Sequence, residues 1–440
     1  MLRRKIDKIL QDWKNKPNHM PLIIKGCRQC GKTFSVRNFA HNNYKHVVYI
    51  NFLLNPEYAS IFSGSLEIDH LTMLMETILG KSSVFVPHET IIIFDEIQDC
   101  PEARTSLKFF KEDGRYDVIG TGSLLGVKGY GKSPKSIPVG YETVVDMFPL
   151  DFEEFLWAND IKPAVIDYLK NCLESETPVT EALHSRLTEL LNLYVVIGGM
   201  PNVVDAFVEN HQLQEAFELQ RNIVRDYEDD MVKYANEADR PFIKECFQSV
   251  PRQLAKENKK FQYSTIKKNA IAARYANSIQ WIEDAGIIKR CFNLSKPELP
   301  LDGQALQDYF KIYMVDTGLF VSKLEPGTQQ DILQGNLLGY KGAIFENLMA
   351  DMLSKMGRNL YFYRKESGLE IDFVIRYKGK CTLVEVKATT GNAKSLKTVL
   401  KNYEKYHIDQ ALKFGNYNIG RNGQMLTLPL YMGFLLTGCI

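Results

Sequence analysis

The chain has 440 residues and a formal net charge of +1, and 45% of its residues are hydrophobic while 24% are charged. This length predicts roughly two to four domains, and the composition is typical of a globular protein. The near-zero charge argues against an electrostatic attraction of the whole chain to nucleic acid but permits a local basic face.

The N-terminal region carries no targeting signal that we recognise. Residues 1–20 predict an amphipathic helix, with Ile6, Ile9, Leu10 and Trp13 on one stripe. The basic start lacks the apolar stretch of a secretory signal, and no apolar run reaches the roughly 18 residues of a transmembrane helix. The eight cysteines are scattered, as in a reducing compartment. We therefore expect a cytoplasmic protein without a membrane partner.

A glycine-containing segment follows the apolar strand Pro21-Leu22-Ile23-Ile24 and fits the phosphate-binding pattern G-x-x-x-x-G-K-[ST]. The glycines let backbone N–H groups surround a phosphate, and the helix that follows, about residues 33–41, directs its positive end at the same anion. Lys32 would contact the β- and γ-phosphates, and the Thr33 hydroxyl would bind Mg²⁺. The predicted nucleotide-binding residues are Gly26, Cys27, Arg28, Gln29, Cys30, Gly31, Lys32, Thr33 and Phe34.

Two cysteines within this segment, Cys27 and Cys30, form a C-x-x-C pair. No second pair and no nearby histidine pair completes a metal site, so we interpret both as occupants of the free positions of the loop. Oxidation of these thiols would then block nucleotide binding.

A second segment, Thr90-Ile91-Ile92-Ile93-Phe94-Asp95-Glu96, is an apolar run that ends in two carboxylates. The run predicts a buried parallel strand, whose carboxyl end lies where ligands bind in open α/β sheets. Asp95 would support Mg²⁺ in the manner of a Walker-B aspartate, and Glu96 would activate the attacking water as the general base. Because the chain has no N-K-x-D motif to read guanine, ATP is favoured over GTP.

Strands and helices alternate through residues 1–155. Five strands with crossover helices predict a parallel sheet between two helical layers. An extra strand between the phosphate loop and the acidic strand is the order found in AAA+ ATPases. Ser123 lies at the end of the fourth strand and would sense the γ-phosphate. The alternative is that it is an ordinary turn serine. The segment Gly126–Gly140 is rich in Gly, Lys, Ser and Pro and predicts a mobile surface loop.

The middle of the chain changes character twice. Residues 156–238 predict a mainly helical, lid-like region with its sharpest turn at Gly198-Gly199-Met200-Pro201. Residues 239–330 predict three helices and a hairpin, which together form a winged helix. Its basic side predicts contact with duplex DNA or, alternatively, a solvated face of a domain that packs against the ATPase. The basic residues are Lys256, Lys259, Lys260, Lys267, Lys268 and Arg274.

The last module, residues 331–440, places acidic residues on neighbouring elements. Glu346 lies on a predicted helix, and Asp372, Glu385 and Lys387 lie on predicted strands, in the arrangement of PD-(D/E)xK nucleases. Acidic residues on adjacent strands can share Mg²⁺, and Lys387 lies on the same strand face as Glu385. The alternatives are salt-bridged strand charges, or a nuclease-like fold that binds DNA without cutting it.

Motifs along most of the chain carry a family resemblance. They are Gly26–Thr33, Phe94–Gln98, Thr121–Ser123, Phe148–Leu156, Gly198–Pro201, Trp281–Gly286, Asp316–Leu319 and Glu385–Lys387. On these motifs the chain resembles the prokaryotic AAA-domain ATPases with a C-terminal domain of unknown function, the AAA_14/DUF4143 type. The resemblance implies ATP binding and hydrolysis, a winged helix and a restriction-endonuclease-like terminus, but no defined cellular process.

One departure from the family concerns the source of a catalytic cation. Many relatives carry an arginine after the glycine that precedes the last core strand, where this chain has Tyr141. We therefore expect no arginine finger from that position. Arg28, Arg104 and Arg115 are the remaining cationic candidates.

We thus predict an α/β protein with a P-loop NTPase core, in which Mg²⁺-dependent ATP hydrolysis is coupled to a DNA-associated C-terminal half. Lys32, Glu96 and Ser123 are the predicted catalytic residues. Hydrolysis would be slow until a partner or a neighbouring subunit supplies a cation. The alternatives are a nucleotide-gated Mg²⁺-dependent nuclease and a nucleotide-dependent protein-binding switch without required turnover. The sequence does not fix the oligomeric state.

Overall fold

The computed structural model describes residues 1–80, 83–123, 140–235, 237–256, 259–336, 340–388 and 391–437. Two compact units are present. The N-terminal unit comprises Arg3–Pro149 with Asp284–Gly286, and the C-terminal unit comprises Met1–Leu2, Leu150–Glu283 and Ile287–Ile440. Apart from Gly140, the predicted loop Gly126–Gly140 lies outside the described residues. Over the described ranges, no helix is long and apolar enough to cross a bilayer.

The N-terminal unit alternates helices with strands. Its helices are α1 (Lys5–Asn15), α2 (Lys32–Asn43), α3 (Ile68–Leu79) and α4 (Pro101–Asp113). Its strands are β1 (Leu22–Lys25), β2 (His46–Asn51), β3 (Thr90–Asp95), β4 (Asp117–Gly122) and β5 (Thr143–Asp146). Short 3₁₀ helices cover Pro56–Phe62 and Ile97–Asp99.

The five strands form one parallel sheet in the order β2-β3-β4-β1-β5. This order confirms the predicted P-loop NTPase core, because the strand between the phosphate loop and the acidic strand lies at the sheet edge. It also places the carboxyl ends of β1, β3 and β4 side by side, so residues from three separate segments meet at one edge.

The core of this unit is divided between the two faces of the sheet. Ile92 and Phe94 of β3 face a cluster that includes the apolar side chains of α3 and α4. Ile91 and Ile93 of the same strand face the cluster of α1 and α2. This alternation is the period of a strand covered on both sides and confirms the three layers. On α1, however, Ile9 is 40% exposed, so it lies off the buried stripe.

The C-terminal unit begins with a helical region. Its helices up to the first hairpin are α5 (Phe152–Ala158), α6 (Pro163–Ser175), α7 (Glu181–Ile197), α8 (Pro201–Asn210), α9 (Leu213–Tyr234), α10 (Arg240–Leu254), α11 (Tyr263–Ile266) and α12 (Ala272–Asp284). The later helices are α13 (Thr317–Ser322), α14 (Thr328–Leu333), α15 (Lys341–Lys355), α16 (Lys394–Lys401) and α17 (Tyr403–Tyr406).

The strands of the C-terminal unit form two sheets. They are β6 (Ile288–Leu294), β7 (Ala305–Met314), β8 (Leu360–Arg364), β9 (Glu370–Ile371), β10 (Phe373–Tyr377), β11 (Lys380–Val386), β12 (Ala411–Gly415), β13 (Gly420–Asn422) and β14 (Met425–Pro429). Further 3₁₀ helices cover Leu301–Gln304 and Leu430–Leu435.

One sheet has the order β7-β6-β8-β9 and the other β10-β11-β12-β14-β13. The antiparallel pair β6–β7 is the predicted hairpin, and it follows the three predicted helices α10, α11 and α12. Strand β8 pairs in parallel with β6, so residues 239–330 and the last module share a sheet. The division into four domains stays a prediction.

Three of the family motifs pack together in this unit. Leu150 donates its N–H to the carbonyl of Gly199 at 2.6 Å, and a Cβ on Gly199 would lie 1.9 Å from the Leu150 carbonyl oxygen. The N–H of Gly199 donates to Asp316 Oδ2 at 2.7 Å. Only glycine fits at such a close approach of two backbones, so these motifs are explained by packing.

Candidate nucleotide site

The phosphate loop joins β1 to α2 and is shaped by two glycines. A Cβ on Gly26 would lie 2.0 Å from the Met147 carbonyl oxygen, so no other residue fits there without a backbone shift. Gly31 has φ +99° and caps α2 in the left-handed region. No acidic residue lies in the first turn of α2, so its free N–H groups and dipole are left for an anion.

Lys32 lies within the loop and is almost fully buried. Its ammonium donates to the carbonyls of Gly26 and Cys27 at 3.0 and 2.8 Å. These contacts hold the charge at the inner side of the loop, which is the position from which a P-loop lysine reaches phosphate oxygens.

Thr33 and Asp95 are in contact across the sheet edge. Thr33 Oγ1 lies 3.1 Å from Asp95 Oδ1 and 3.0 Å from Oδ2. A hydroxyl and a carboxylate at this separation are oxygen ligands of the kind that Mg²⁺ takes when it also keeps phosphate and water ligands. The residues present therefore fit a nucleotide-bound Mg²⁺.

Three residues that the sequence reasoning did not select also bind Asp95. Tyr49 OH donates to Oδ2 at 2.6 Å, Asn51 Nδ2 donates to Oδ2 at 3.0 Å, and Thr121 Oγ1 donates to Oδ1. Burial and the hydrogen bond to Asp95 raise the pKa of Tyr49 to about 12, so its phenol stays a donor at neutral pH. Polar residues at the ends of β2 and β4 were the available signal, because parallel strands end at one edge.

Glu96 is held in a fixed orientation beside Asp95. Its backbone has φ +53° and ψ +46°, the left-handed region, which is unusual for glutamate and is found where function constrains the chain. Its Oε2 accepts hydrogen bonds from Gln98 Nε2 at 2.5 Å and from Ser123 Oγ at 3.1 Å. Ser123, the predicted γ-phosphate sensor, thus contacts the predicted general base.

Two of the cationic candidates are engaged in ion pairs away from the loop. Arg104 binds Glu142 through Nη2 at 2.5 Å and through Nε at 3.1 Å. Arg115 binds both Asp113 and Asp69. Within the described residues, neither guanidinium has a hydrogen bond or ion pair to the phosphate loop or to Asp95 and Glu96.

The two loop cysteines are both buried, and neither forms a disulfide. A hydrogen bond from the Cys27 thiol, assisted by the charges of Lys32 and Arg4, outweighs burial and lowers the pKa of Cys30 to about 6. The Cys30 thiol therefore loses its proton more readily than an ordinary cysteine does. Over the described ranges, no group of three His, Cys, Asp or Glu side chains is arranged to hold a metal ion.

The nuclease-like residues lie near one another in the C-terminal unit. The Val386 N–H donates to Asp372 Oδ2 at 2.8 Å, and Lys387 is ion-paired with Glu385. Burial and the charge of Asp372 raise the pKa of Glu385 to about 7.

Glu346 is bound by cations of the protein itself. Lys311 Nζ lies 2.9 Å from its Oε1, Tyr313 OH donates to the same oxygen at 2.8 Å, and Lys259 pairs with Oε2. Burial, with the neighbouring charge of Lys311, lowers the pKa of Lys259 to about 8. Both carboxylate oxygens of Glu346 therefore already accept bonds from protein groups. This does not favour a shared metal ion at Glu346. The nuclease interpretation stays a prediction.

The predicted basic side is only partly exposed. Lys267, Lys268 and Arg274 are exposed, although Lys267 lies 3.5 Å from Glu245. Lys259 is paired with Glu346, and Lys256 donates to Gln262 at 2.9 Å. The basic surface that remains is therefore smaller than the sequence indicates.

Family models match three parts of the chain. An AAA domain matches residues 18–156, a domain of unknown function (DUF8612) matches residues 188–330, and a domain of unknown function (DUF4143) matches residues 341–431. A search of the curated proteins found no match.

Several solved structures are similar at low identity. The Walker-type ATPase PABY2304 of Pyrococcus abyssi is 13% identical, with 73% of this chain and 96% of that one covered and a TM-score of 0.42. The Orc1 protein of Aeropyrum pernix in complex with DNA is 12% identical, with 76% and 91% covered and a TM-score of 0.29. AMPPCP-bound DnaA from Aquifex aeolicus is 11% identical, with 63% and 86% covered and a TM-score of 0.26.

Structural matches with identities and TM-scores this low do not indicate a function. The family models and the strand order support the assignment of the P-loop NTPase fold. Four of the motifs that carry the resemblance fall within the AAA range and Glu385–Lys387 falls within the DUF4143 range, whereas Gly198–Pro201, Trp281–Gly286 and Asp316–Leu319 fall within the DUF8612 range. The chain combines an AAA domain with a C-terminal DUF4143 domain, which is the architecture that the resemblance implies.

Proposed function

We propose that the protein hydrolyses ATP with Mg²⁺ at the carboxyl edge of the N-terminal sheet. The observation that carries the proposal is the contact of Thr33 Oγ1 with both carboxylate oxygens of Asp95, at 3.1 and 3.0 Å. It joins the phosphate loop to the acidic strand. Neither segment alone would support hydrolysis.

Each residue of the site has a separate task. The loop N–H groups and the start of α2 bind the phosphates, and Lys32 exchanges its bonds to the Gly26 and Cys27 carbonyls for phosphate oxygens. Thr33 and Asp95 would hold the metal ion, which would supply positive charge to neutralise the phosphates. Glu96 accepts the proton of the attacking water, and Ser123 orients the Glu96 carboxylate.

We further propose that nucleotide turnover is coupled to duplex DNA through the C-terminal unit. The support is the exposed set of Lys267, Lys268 and Arg274 on and beside the helices that precede the β6–β7 hairpin. Lysine and arginine on one face are the electrostatic requirement for phosphate-backbone contacts.

The test measures phosphate release from ATP with and without duplex DNA, in wild type and in Glu96→Gln. The variant keeps the size of the side chain but cannot take a proton, so we expect turnover to fall by roughly 10²–10⁴-fold while ATP binding is retained. Glu112→Gln is the matched control, because Glu112 is exposed on α4, and it should turn over as wild type does.

The outcomes separate the parts of the proposal. DNA-stimulated release that is lost in Glu96→Gln supports both parts. Release that is lost in the variant but indifferent to DNA removes the DNA coupling alone. ATP binding without any release in wild type would replace hydrolysis by a nucleotide-dependent binding switch.

A further inference from the structure

The C-terminal unit contains a cavity at the carboxyl edge of the β10–β14 sheet. Its volume is about 120 Å³, and it is partly open to solvent. Its lining includes Ala388 just after β11, Gly415 at the end of β12 and Pro429 at the end of β14. These three strands are parallel, so the cavity lies where open α/β sheets bind their ligands. We call it the strand-end cavity.

Most of its wall is apolar and rigid. Leu191 and Val195 of α7 and Ile344 of α15 are almost fully buried and line the space. Two polar residues of the wall satisfy each other, because His184 Nδ1 and Tyr431 OH are 2.9 Å apart. These side chains shape the cavity and would contact the apolar body of a ligand.

The charge of the lining is positive. None of the described residues that line the cavity is acidic. Lys341 lies in the first turn of α15, so its charge adds to the positive end of that 15-residue helix. Among the described residues, Lys341 has no ion pair with a carboxylate, and the amide of Asn192 has no hydrogen-bond partner. A cation and an amide that line the same apolar cavity are the kind of polar groups that a ligand with one anionic group requires.

We propose that the strand-end cavity binds a small organic anion, with an apolar body against Leu191 and Ile344 and its carboxylate or phosphate against Lys341 and Asn192. The site uses no residue of the nucleotide site, so it does not depend on the proposed ATPase activity.

The test uses 1-anilinonaphthalene-8-sulfonate, an aromatic probe with one anionic group, and its uncharged counterpart N-phenyl-1-naphthylamine. We expect Lys341→Gln to weaken binding of the anionic probe by up to about fivefold, the effect of one partly exposed charge contact, and to leave the uncharged probe unaffected. Lys397→Gln, an exposed lysine of α16 in the same unit, should change neither. Leu191→Trp, which fills the cavity, should weaken both.

Displacement of the probe identifies the anionic group. Octanoate and octyl phosphate should displace it and octanol should not, and the better of the two anions shows whether the site prefers a carboxylate or a phosphate. Equal displacement by octanol would overturn the charge assignment. If Lys341→Gln binds the anionic probe as tightly as wild type does, the charge assignment is also wrong. If a folded Leu191→Trp protein binds both probes as wild type does, the probes bind outside the strand-end cavity.

Discussion

Among single residues, Gly26 has the least room in the phosphate loop. A Cβ there would lie 2.0 Å from the Met147 carbonyl oxygen and 3.2 Å from Cys30 Sγ. Because the Met147 carbonyl oxygen is a backbone atom, this clash can be relieved only if the loop or the chain after β5 moves. The loop N–H groups would then be displaced. The conformation that binds phosphate therefore depends on the absence of one methyl group.

We expect Gly26→Ala to lower the free energy of unfolding by roughly 1–3 kcal/mol, as overpacking does. We expect it also to weaken ATP binding by more than this loss of stability accounts for. Gly64→Ala is the control, because nothing lies within 4 Å of a Cβ at that position. Urea unfolding and binding of a fluorescent ATP analogue measure the two effects. Equal behaviour of the two variants would show that the loop tolerates the methyl group.

Cys30 leads to a prediction about oxidation of the two loop thiols. Its pKa, lowered to about 6, makes it more nucleophilic than an ordinary cysteine thiol, and Cys27 lies three residues away in the sequence. Diamide should take up the two thiol hydrogens and join the cysteines as a disulfide, which changes the loop and reduces ATP binding until a reductant is added.

The control for this experiment is Cys30→Ser, which should bind ATP equally before and after diamide. Mass spectrometry establishes how many thiols are lost in the wild type. Undiminished ATP binding by wild type that has demonstrably lost both loop thiols would refute the prediction.

The spacing of residues along the chain was enough to predict Lys32, Thr33, Asp95 and Glu96, because each motif is local. It was not enough for Tyr49, Asn51 and Thr121. These contact Asp95 only because β2 and β4 flank β3, and the register pairs Asn51 with Asp95. Register is set by the packing of the whole sheet, which no local pattern contains.

Among the elements, the start of β4 is joined to the segment before β1 by a partly buried ion pair. His19, before β1, lies with Nε2 2.9 Å from Oδ1 of Asp117, the first residue of β4. The hydrogen bond to Asp117 raises the pKa of His19 above its ordinary value of 6.5. Two parallel strands of the sheet are thus fixed at their amino ends by a contact that depends on protonation.

The sign of the pH effect follows from the raised pKa. The stabilising contribution of His19 is complete below pH 6.5 and is lost as the pH rises through the folded-state pKa. We expect wild type to exceed His19→Gln in stability by on the order of 1 kcal/mol on the acidic side of this range, and by less on the alkaline side. Urea unfolding of the N-terminal unit at both ends of the range measures this.

His41→Gln is the control for this comparison, because His41 is an exposed histidine of the same unit. Its stability relative to wild type should not change across the range. A deficit of His19→Gln that is equal at both pH values would show that the pair acts as a neutral hydrogen bond.

Helices and strands differ in how well they could be predicted. The sequence predicts helices over Leu66–Leu79, Glu102–Glu112 and Arg274–Ala285, and α3, α4 and α12 lie within a few residues of these bounds, because the apolar spacing of a helix is local. The sequence predicts the second hairpin strand over Lys311–Val315, and β7 does end at Met314, but it begins at Ala305, earlier than this apolar run indicates. The parallel pairing of β6 with β8 was not predicted, since about 70 residues separate them and no local signal marks such pairs.

At the scale of the whole molecule, the two compact units differ in how their sheets are built. The N-terminal unit has one parallel sheet, whereas the C-terminal unit has two sheets that mix parallel and antiparallel pairs. The buried Lys311 shows how closely the C-terminal unit is joined, because it lies on β7 and pairs with Glu346 of α15 and Glu370 of β9. Removing one partner of such a buried pair is costly, so the region before residue 330 and the last module depend on each other.

The source of the catalytic cation is also a property of the whole molecule. Arg104 and Arg115 are held by carboxylates of their own unit, so we expect the missing charge to come from a second copy of the chain or from a partner. An arginine supplied in this way accelerates phosphoryl transfer by roughly 10³–10⁵-fold. Phosphate release per molecule should therefore be slow in dilute protein and rise with concentration.

The Glu96→Gln variant gives a direct test of this idea, because its own turnover is expected to be far below that of wild type while it keeps every arginine on its surface. Added to dilute wild type in the presence of ATP, it should raise the turnover of the wild-type sites if neighbouring copies supply the cation. If a different protein supplies the cation, ATP hydrolysis in this mixture should stay slow. Addition of that partner protein should then accelerate it. A fast rate in dilute wild type that Glu96→Gln does not change would mean that the cation belongs to the same chain, and would direct attention to Arg28 within the loop.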